Sequence, residues 1–250
     1  MSERLRLLCF PNAGGGASAY RLWQERLPDD IEVCAVQLPG RENRLREPAL
    51  RELPALIELL RAETAQLRRG PFAFFGHSLG ALVAFELTRA LRRAGERLPV
   101  QLFVSSCRAP HTDDEGVALS ELDDASFLGA LREFAGTPEA VLQDHELLAL
   151  VLPTLRADFA LRDGYRCAEE PGLALPITVY GGEDDAHVSL SSLFAWRAHT
   201  QRSFSLARFP GGHFYFRDQP AFYLTLGHAL SRLTRRSRGV RLEERDGSRH

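Results

Sequence analysis

Apolar residues fall along this chain in short blocks rather than in one long run. Six of them, Leu5–Phe10, Ile31–Gln37, Phe72–Gly76, Val100–Ser105, Ile177–Gly181 and Phe204–Phe209, are rich in Val, Leu, Ile or Phe. Blocks of this length predict strands buried on both faces, as in a parallel sheet. Between them lie stretches of helical spacing: Ala17–Leu27, Pro54–Arg68, Ser78–Ala94, Leu190–His199 and Pro220–Arg235. In the second stretch Leu56, Leu59, Leu60 and Leu67 share one stripe, while Glu58, Arg61 and Glu63 face away. Strands alternating with amphipathic helices predict an α/β fold with a mostly parallel central sheet flanked by helices.

One segment breaks the alternation. From His111 to Cys167 no strand pattern occurs, but Asp124–Phe134 and His145–Arg162 read as helices after the acidic loop Asp113-Asp114-Glu115-Gly116. A helical insertion at about 111–167 between core strands is expected to form a lid, with Leu131, Phe134, Leu152, Leu155 and Phe159 as its apolar lining. The alternative is a crossover of ordinary packing helices. Residues 1–235 are expected to form a single domain, and the charged, apolar-poor stretch 236–250 an unstructured tail.

Composition narrows the function classes. At 250 residues and 44% apolar content one α/β core is well supplied, and no stretch approaches the roughly 18 apolar residues of a membrane span. No secretory signal pattern opens the sequence, which favours the cytoplasm. A net charge of −2 argues against general nucleic-acid binding. Cys9, Cys34, Cys107 and Cys167 form no C-x-x-C pair, so neither a zinc site nor a disulfide framework is expected. Every basic residue is arginine. The clusters Arg41, Arg44, Arg46, Arg51 and Arg89, Arg92, Arg93, Arg97 read as solvated faces, the alternative being a patch for an acidic protein partner.

The chemistry concentrates at Gly76-His77-Ser78-Leu79-Gly80, a G-x-S-x-G pentapeptide between an apolar strand and a long helix. In that context it is the nucleophile elbow of an α/β-hydrolase fold, and it points to a serine hydrolase or acyltransferase. A serine hydroxyl needs a base, and in this fold the partners follow in the order Ser, acid, His. His213, in Phe209-Pro210-Gly211-Gly212-His213-Phe214, follows the last strand and suits the base better than His77, His111, His145, His199, His228 or His250. The acid should follow the strand at Ile177; there Glu183, Asp184 and Asp185 are adjacent, and spacing alone does not separate them. Two backbone N–H groups should stabilise the oxyanion, one from Leu79 and one from the loop Phe10-Pro11-Asn12-Ala13-Gly14-Gly15-Gly16. That loop lacks the Lys-Ser/Thr ending of a phosphate-binding P-loop.

Six motifs in order carry a resemblance: Phe10-Pro11-Asn12-Ala13-Gly14-Gly15, Leu38-Pro39-Gly40-Arg41-Glu42, Gly76-His77-Ser78-Leu79-Gly80, Leu155-Arg156-Ala157-Asp158, Gly181-Gly182 with Asp185 and Val188, and Gly211-Gly212-His213-Phe214. From about Leu7 to Leu230 the chain resembles the type II (editing) thioesterases of polyketide and non-ribosomal peptide synthesis. The resemblance implies Ser78 as nucleophile, Asp185 as orienting acid, His213 as base, and Ala13 and Leu79 as oxyanion donors. Ala186 stands where the family loop usually has proline. The implied activity is hydrolysis of stalled or wrongly primed acyl groups from the phosphopantetheine arm of acyl or peptidyl carrier proteins. No cofactor or metal is implied, since the pantetheine belongs to the substrate, and the enzyme is expected to be monomeric. Competing readings are a medium-chain fatty acyl carrier thioesterase, a chain-releasing thioesterase, a general carboxylesterase and a catalytically inert binding module.

Overall fold

A computed structural model describes residues 4–112, 118–134 and 136–246, with the backbone alone for 218 and 236–246. The acidic loop expected at 113–116 and the last four residues of the expected tail lie outside the described residues.

Strands β1 (Leu5–Phe10), β2 (Ile31–Ala35), β3 (Phe72–His77), β4 (Leu102–Ser105), β5 (Ile177–Gly182) and β6 (Phe204–Phe209) form one sheet of order β2-β1-β3-β4-β5-β6. Every neighbouring pair is parallel. The side-chain period of two divides the central strands between the faces. Leu8, Phe10, Phe72, Phe74, Leu102, Val104, Ile177 and Val179 pack on one face, and Leu7, Cys9, Ala73, Phe75, Phe103 and Tyr180 on the other. Both faces must therefore be covered, which is why these strands read as continuous apolar blocks.

Helix α1 (Trp23–Arg26), α2 (Leu53–Glu63), α3 (Leu79–Arg93), α4 (Asp124–Phe134), α5 (Glu139–Gln143), α6 (His145–Asp163), α7 (Leu190–Phe194) and α8 (Pro220–Asp246) supply that cover. Leu53, Leu56, Ile57 and Leu60 of α2 join the Phe10 face with α3. Trp23 of α1 and Phe222, Leu226 and Leu230 of α8 join the Phe75 face. Phe127, Leu131, Leu142, Leu155 and Phe159 of α4–α6 make a third apolar cluster of their own above the sheet edge.

Several boundaries differ from expectation for local reasons. The helix expected at Ala17–Leu27 is a 3-10 turn, Ala17–Tyr20, followed by α1. Its first N–H groups donate to Gln37 and Glu42 side chains, not along a helix. Helix α2 stops at Glu63, where Thr64 Oγ1 donates to Leu60 O at 2.6 Å and Arg68 to Arg61 O at 2.7 Å. The short α5 was not anticipated, being too brief for periodicity to register. The backbone of α8 stays helical to Asp246, past the expected boundary at Arg235, in a stretch where helix-favouring Arg, Leu and Glu outnumber Ser237, Gly239 and Val240.

The arginine clusters are not uniformly solvated, a correction to the sequence reading. Arg41 is 6% exposed and pairs with Asp158; Arg89 is 2% exposed and pairs with Glu86 and Glu170. Burial of a guanidinium is tolerable only with such partners; Glu86 stands one helical turn from Arg89, but Asp158 and Glu170 lie 117 and 81 residues from their arginines, beyond the reach of local pattern.

Candidate active site

Strand order reverses between β1 and β3, because β2 lies outside β1 while β4 to β6 extend the other way. At such a switch point the loops leaving adjacent strands diverge and open a crevice at their carboxyl ends. Phe10 pairs with Gly76, so the glycine-rich loop after β1 and the pentapeptide after β3 leave the sheet side by side.

Ser78 occupies the turn with φ +53° and ψ −119°, a conformation non-glycine residues rarely adopt. The turn is held by its neighbours. Ser78 N–H donates to Ser105 O at 2.8 Å and Ala81 N–H to Ser78 O at 3.0 Å. It is also sterically closed to side chains: a Cβ on Gly76 would lie 2.2 Å from Gly80 O, and one on Gly80 2.1 Å from Phe10 O. The two glycines let β1, β3 and α3 approach closely enough to lift the serine.

His213 follows β6 and is 8% exposed. Its Nδ1 lies 2.9 Å from Asp185 Oδ2, and the other carboxylate oxygen accepts the His187 N–H at 2.9 Å. The three adjacent carboxylates are thus separated by geometry. Glu183 and Asp184 are exposed, and the Asp184 carboxylate accepts only the Gly211 N–H, at 3.3 Å. Burial pushes the Asp185 carboxyl up, but the hydrogen bond and charge of His213 and the His187 N–H more than offset it, leaving Asp185 below the ordinary carboxylate value.

Ser78 and His213 line the same two connected spaces. One is a small cavity of ≈ 40 Å³ walled by Ala13, Leu131, Phe134, Leu155 and Phe159. The other is a broad groove of ≈ 850 Å³ with a more polar wall that includes Arg108, Arg162, Arg166 and His187. No hydrogen bond joins Ser78 Oγ to the imidazole; such contacts are commonly loose without substrate and tighten in the reacting complex. Ala13 N–H and Leu79 N–H, both on the small cavity, donate to no described residue. Two free donors beside a serine and a histidine–carboxylate pair suit acyl transfer through a tetrahedral oxyanion. Among the described residues no group of three or more His, Cys, Asp or Glu is placed to hold a metal, and no helix is long and apolar enough to cross a membrane. The four cysteines are free.

Sequence reasoning passed over three features. His77 lies wholly buried behind the site, with Nδ1 2.9 Å from Ser105 Oγ, which is itself 2.8 Å from Tyr215 OH. His187 stacks on Phe134 of α4 at 4.0 Å and 14°, its Nε2 3.1 Å from Glu133 O, joining the acid loop to the helical segment. Asp158 of α6 reaches the loop after β1. The first two depend on side-chain direction, which no spacing rule supplies; Asp158 stood within a quoted motif but without a role.

The chain resembles known proteins over most of its length. The thioesterase domain family matches residues 5–229. The gramicidin S biosynthesis protein GrsT of Aneurinibacillus migulanus is 46% identical over 214 residues, covering 86% of this chain and 84% of its own. The structure of RedJ, a thioesterase from the prodiginine biosynthetic pathway in Streptomyces coelicolor, superposes with a TM-score of 0.83 at 37% identity, over 91% of this chain and 85% of that one. The type II thioesterase BorB from the borrelidin biosynthetic cluster gives 0.82 at 36%, over 92% and 94%. The chain belongs to the thioesterase family of α/β-hydrolase fold, and it is a hydrolase of acyl thioesters.

Proposed function

We propose that this enzyme removes stalled or wrongly primed acyl groups from the phosphopantetheine arm of carrier proteins in a polyketide or non-ribosomal peptide synthase. Ser78 Oγ attacks the thioester carbonyl while His213 takes its proton, with Asp185 holding the imidazole in the productive tautomer. The oxyanion is received by Ala13 N–H and Leu79 N–H. Collapse expels the pantetheine sulfur, which leaves with the proton from His213. A water molecule, deprotonated by His213, then attacks the acyl-serine, and the carboxylic acid departs as Ser78 regains its proton. This chemistry calls for no metal or diffusible cofactor. The helices α4–α6 serve as a lid, the enzyme acts as a cytoplasmic monomer, and its macromolecular partner is the carrier protein.

The observation that carries the reading is the buried Asp185–His213 pair opening onto the same cavity as the strained Ser78 and two unbonded N–H groups. The synthase substrate rests on likeness to relatives named for such pathways. Ser78→Ala is expected to abolish acyl-carrier hydrolysis and labelling by a fluorophosphonate probe while leaving the fold intact. Turnover retained in folded, purified variant would refute the assignment. A medium-chain fatty acyl thioesterase is the rival, and the small volume of the apolar cavity counts against it.

A further inference from the structure

Two sequence motifs to which the reaction above assigns no role meet in the structure. Arg41, from Leu38-Pro39-Gly40-Arg41-Glu42, forms a bidentate pair with Asp158, from Leu155-Arg156-Ala157-Asp158. Nη1 lies 2.6 Å from Oδ2 and Nη2 2.8 Å from Oδ1. Asp158 is 1% exposed and lines the same small cavity as Ser78 and His213. Its Oδ2 also accepts the Gly14 N–H at 2.7 Å. Arg41 in turn donates to Gly15 O and Pro39 O, each at 3.2 Å.

The consequence falls on one peptide plane. The carbonyl of the Ala13–Gly14 peptide accepts Asn12 Nδ2 at 2.8 Å, and its N–H is held by Asp158, so both ends are anchored. Gly15 N–H is occupied by Asn12 O at 2.9 Å, which leaves Ala13 N–H as the unbonded donor of the three successive amides. A glycine loop with Gly14 at φ +71° has little intrinsic resistance to a peptide flip. The anchor has to come from outside the loop, and it comes from α6. A bare carboxylate in this cavity would repel a developing oxyanion; the bidentate guanidinium cancels that charge while leaving Oδ2 able to accept from Gly14.

We propose that Asp158, neutralised by Arg41, is a positioning residue for the oxyanion hole: it fixes the Ala13–Gly14 peptide and so the tight turn, closed by Gly15 N–H on Asn12 O, that carries the adjoining Asn12–Ala13 amide, and Ala13 N–H stays directed at the carbonyl attacked by Ser78. The inference rests on the acyl-enzyme reading above. It also makes the seat of α6 part of the catalytic geometry, since the carboxylate leaves the loop if the helix does.

The test compares Asp158→Leu, which leaves no acceptor for Gly14 N–H, with wild type using acetyl-pantetheine and a trifluoromethyl ketone analogue. The Ser78 oxygen adds to the ketone carbon, its proton passes to His213, and the resulting oxyanion occupies the hole. Removal of a whole donor costs about 100- to 1,000-fold in kcat, so a misdirected one should cost about 10- to 100-fold. The expected result is that fall in kcat, a KM within about threefold, and a loss of ketone affinity parallel to the loss of kcat/KM. Thr154→Val removes another contact that seats this helix, Thr154 Oγ1 to Gly40 O at 2.6 Å, without touching the loop. It should lower Tm but leave kcat and ketone affinity unchanged. Should Asp158→Leu not fold, Arg41→Met/Asp158→Leu, which buries no lone charge and still leaves Gly14 N–H without an acceptor, is expected to show the same paired losses. Variants that lose only thermal stability, with kcat and ketone affinity per titrated active site within about threefold of wild type, would overturn the proposal. A wild-type protein that neither hydrolyses acetyl-pantetheine nor takes a fluorophosphonate label would instead sink the catalytic reading itself.

Discussion

Asp184 and Asp185 are chemically identical neighbours with opposite surroundings. Asp185 is folded inward against His213, whereas Asp184 caps the turn that carries Gly211. Asp185→Asn keeps the shape but lets the amide present an N–H to the imidazole, favouring the wrong tautomer. By analogy with triads in which this exchange has been made, turnover should fall about 10⁴-fold. Asp184→Asn should cost less than about tenfold, because the side chain contacts only a loop amide. Parallel kcat measurements on the two purified variants check this, and equal losses would remove the distinction. Spacing could find the loop but not the residue: three consecutive carboxylates differ in which way the chain turns after β5, and that turn is set by Glu183 and Asp184 N–H groups donating to Phe209 and Gly211 carbonyls, 26 and 27 residues away. The pairing of His213 with the acid loop was legible because, of the three histidines after β6, it alone follows Gly-Gly on the loop that leaves the strand. Asp158 was not, since its partner stands 117 residues upstream.

Elements were legible in proportion to how far their own residues determine them. The strands β1 and β6 match expectation to the residue: β1 through its buried Leu5, Leu7, Leu8, Cys9 and Phe10, and the half-buried edge strand β6 through Phe204, Leu206, Ala207 and Phe209. The start of the first helical turn was less legible, because Ala17 and Ser18 N–H groups are taken up by Gln37 and Glu42 from farther along the chain. The buried end of β3 has a further effect on stability. His77 is held well below its ordinary pKa of 6.5 by burial, with the charges of His213 and Arg217 adding to it. His199, in the 3-10 turn Ala195–His199, is lowered to about 4 by burial, then by His111 at 2.7 Å and by Arg89. Both are neutral in the fold at pH values where the unfolded chain has taken up a proton. The unfolded state then binds more protons, so stability rises with pH across that window. Stability is therefore complete above pH 6.5 and drains away as pH falls, for His199 down to about 4. Each such group contributes a slope of at most about 1.4 kcal/mol per pH unit. Urea unfolding at pH 7 and pH 5 should show this loss, and His199→Gln, which can still bond His111, should show a smaller one. An undiminished loss in the variant would mean that the fold does not keep His199 neutral.

At the scale of the whole molecule, two spaces of different size and polarity meet at one serine. The thioester has two ends of matching character: an apolar acyl group and a long, polar pantetheine arm. The broad groove suits the arm and the small cavity the acyl group. By volume the small cavity, ≈ 40 Å³ against ≈ 850 Å³ for the groove, suits a short acyl group better than a long one. A longer chain in this cavity would press on Phe159 of its wall, which packs edge-on against Phe127 at 5.4 Å and Phe134 at 5.7 Å within the cluster that α4–α6 form among themselves. That cost rises with each added methylene, whereas a wide pocket would instead gain about 1–3 kcal/mol per methylene buried. Acetyl and propionyl carriers should therefore exceed octanoyl carriers in kcat/KM. Phe159→Ala should reverse the trend by opening the cavity into its own cluster, raising the octanoyl-to-acetyl ratio at least about tenfold. The same variant is expected to lose about 3–5 kcal/mol of stability as a buried aromatic deletion, so the ratio, unaffected by the folded fraction, is the quantity to measure. An unchanged ratio in folded Phe159→Ala would place the acyl chain in the broad groove and leave the small cavity without a part in selectivity.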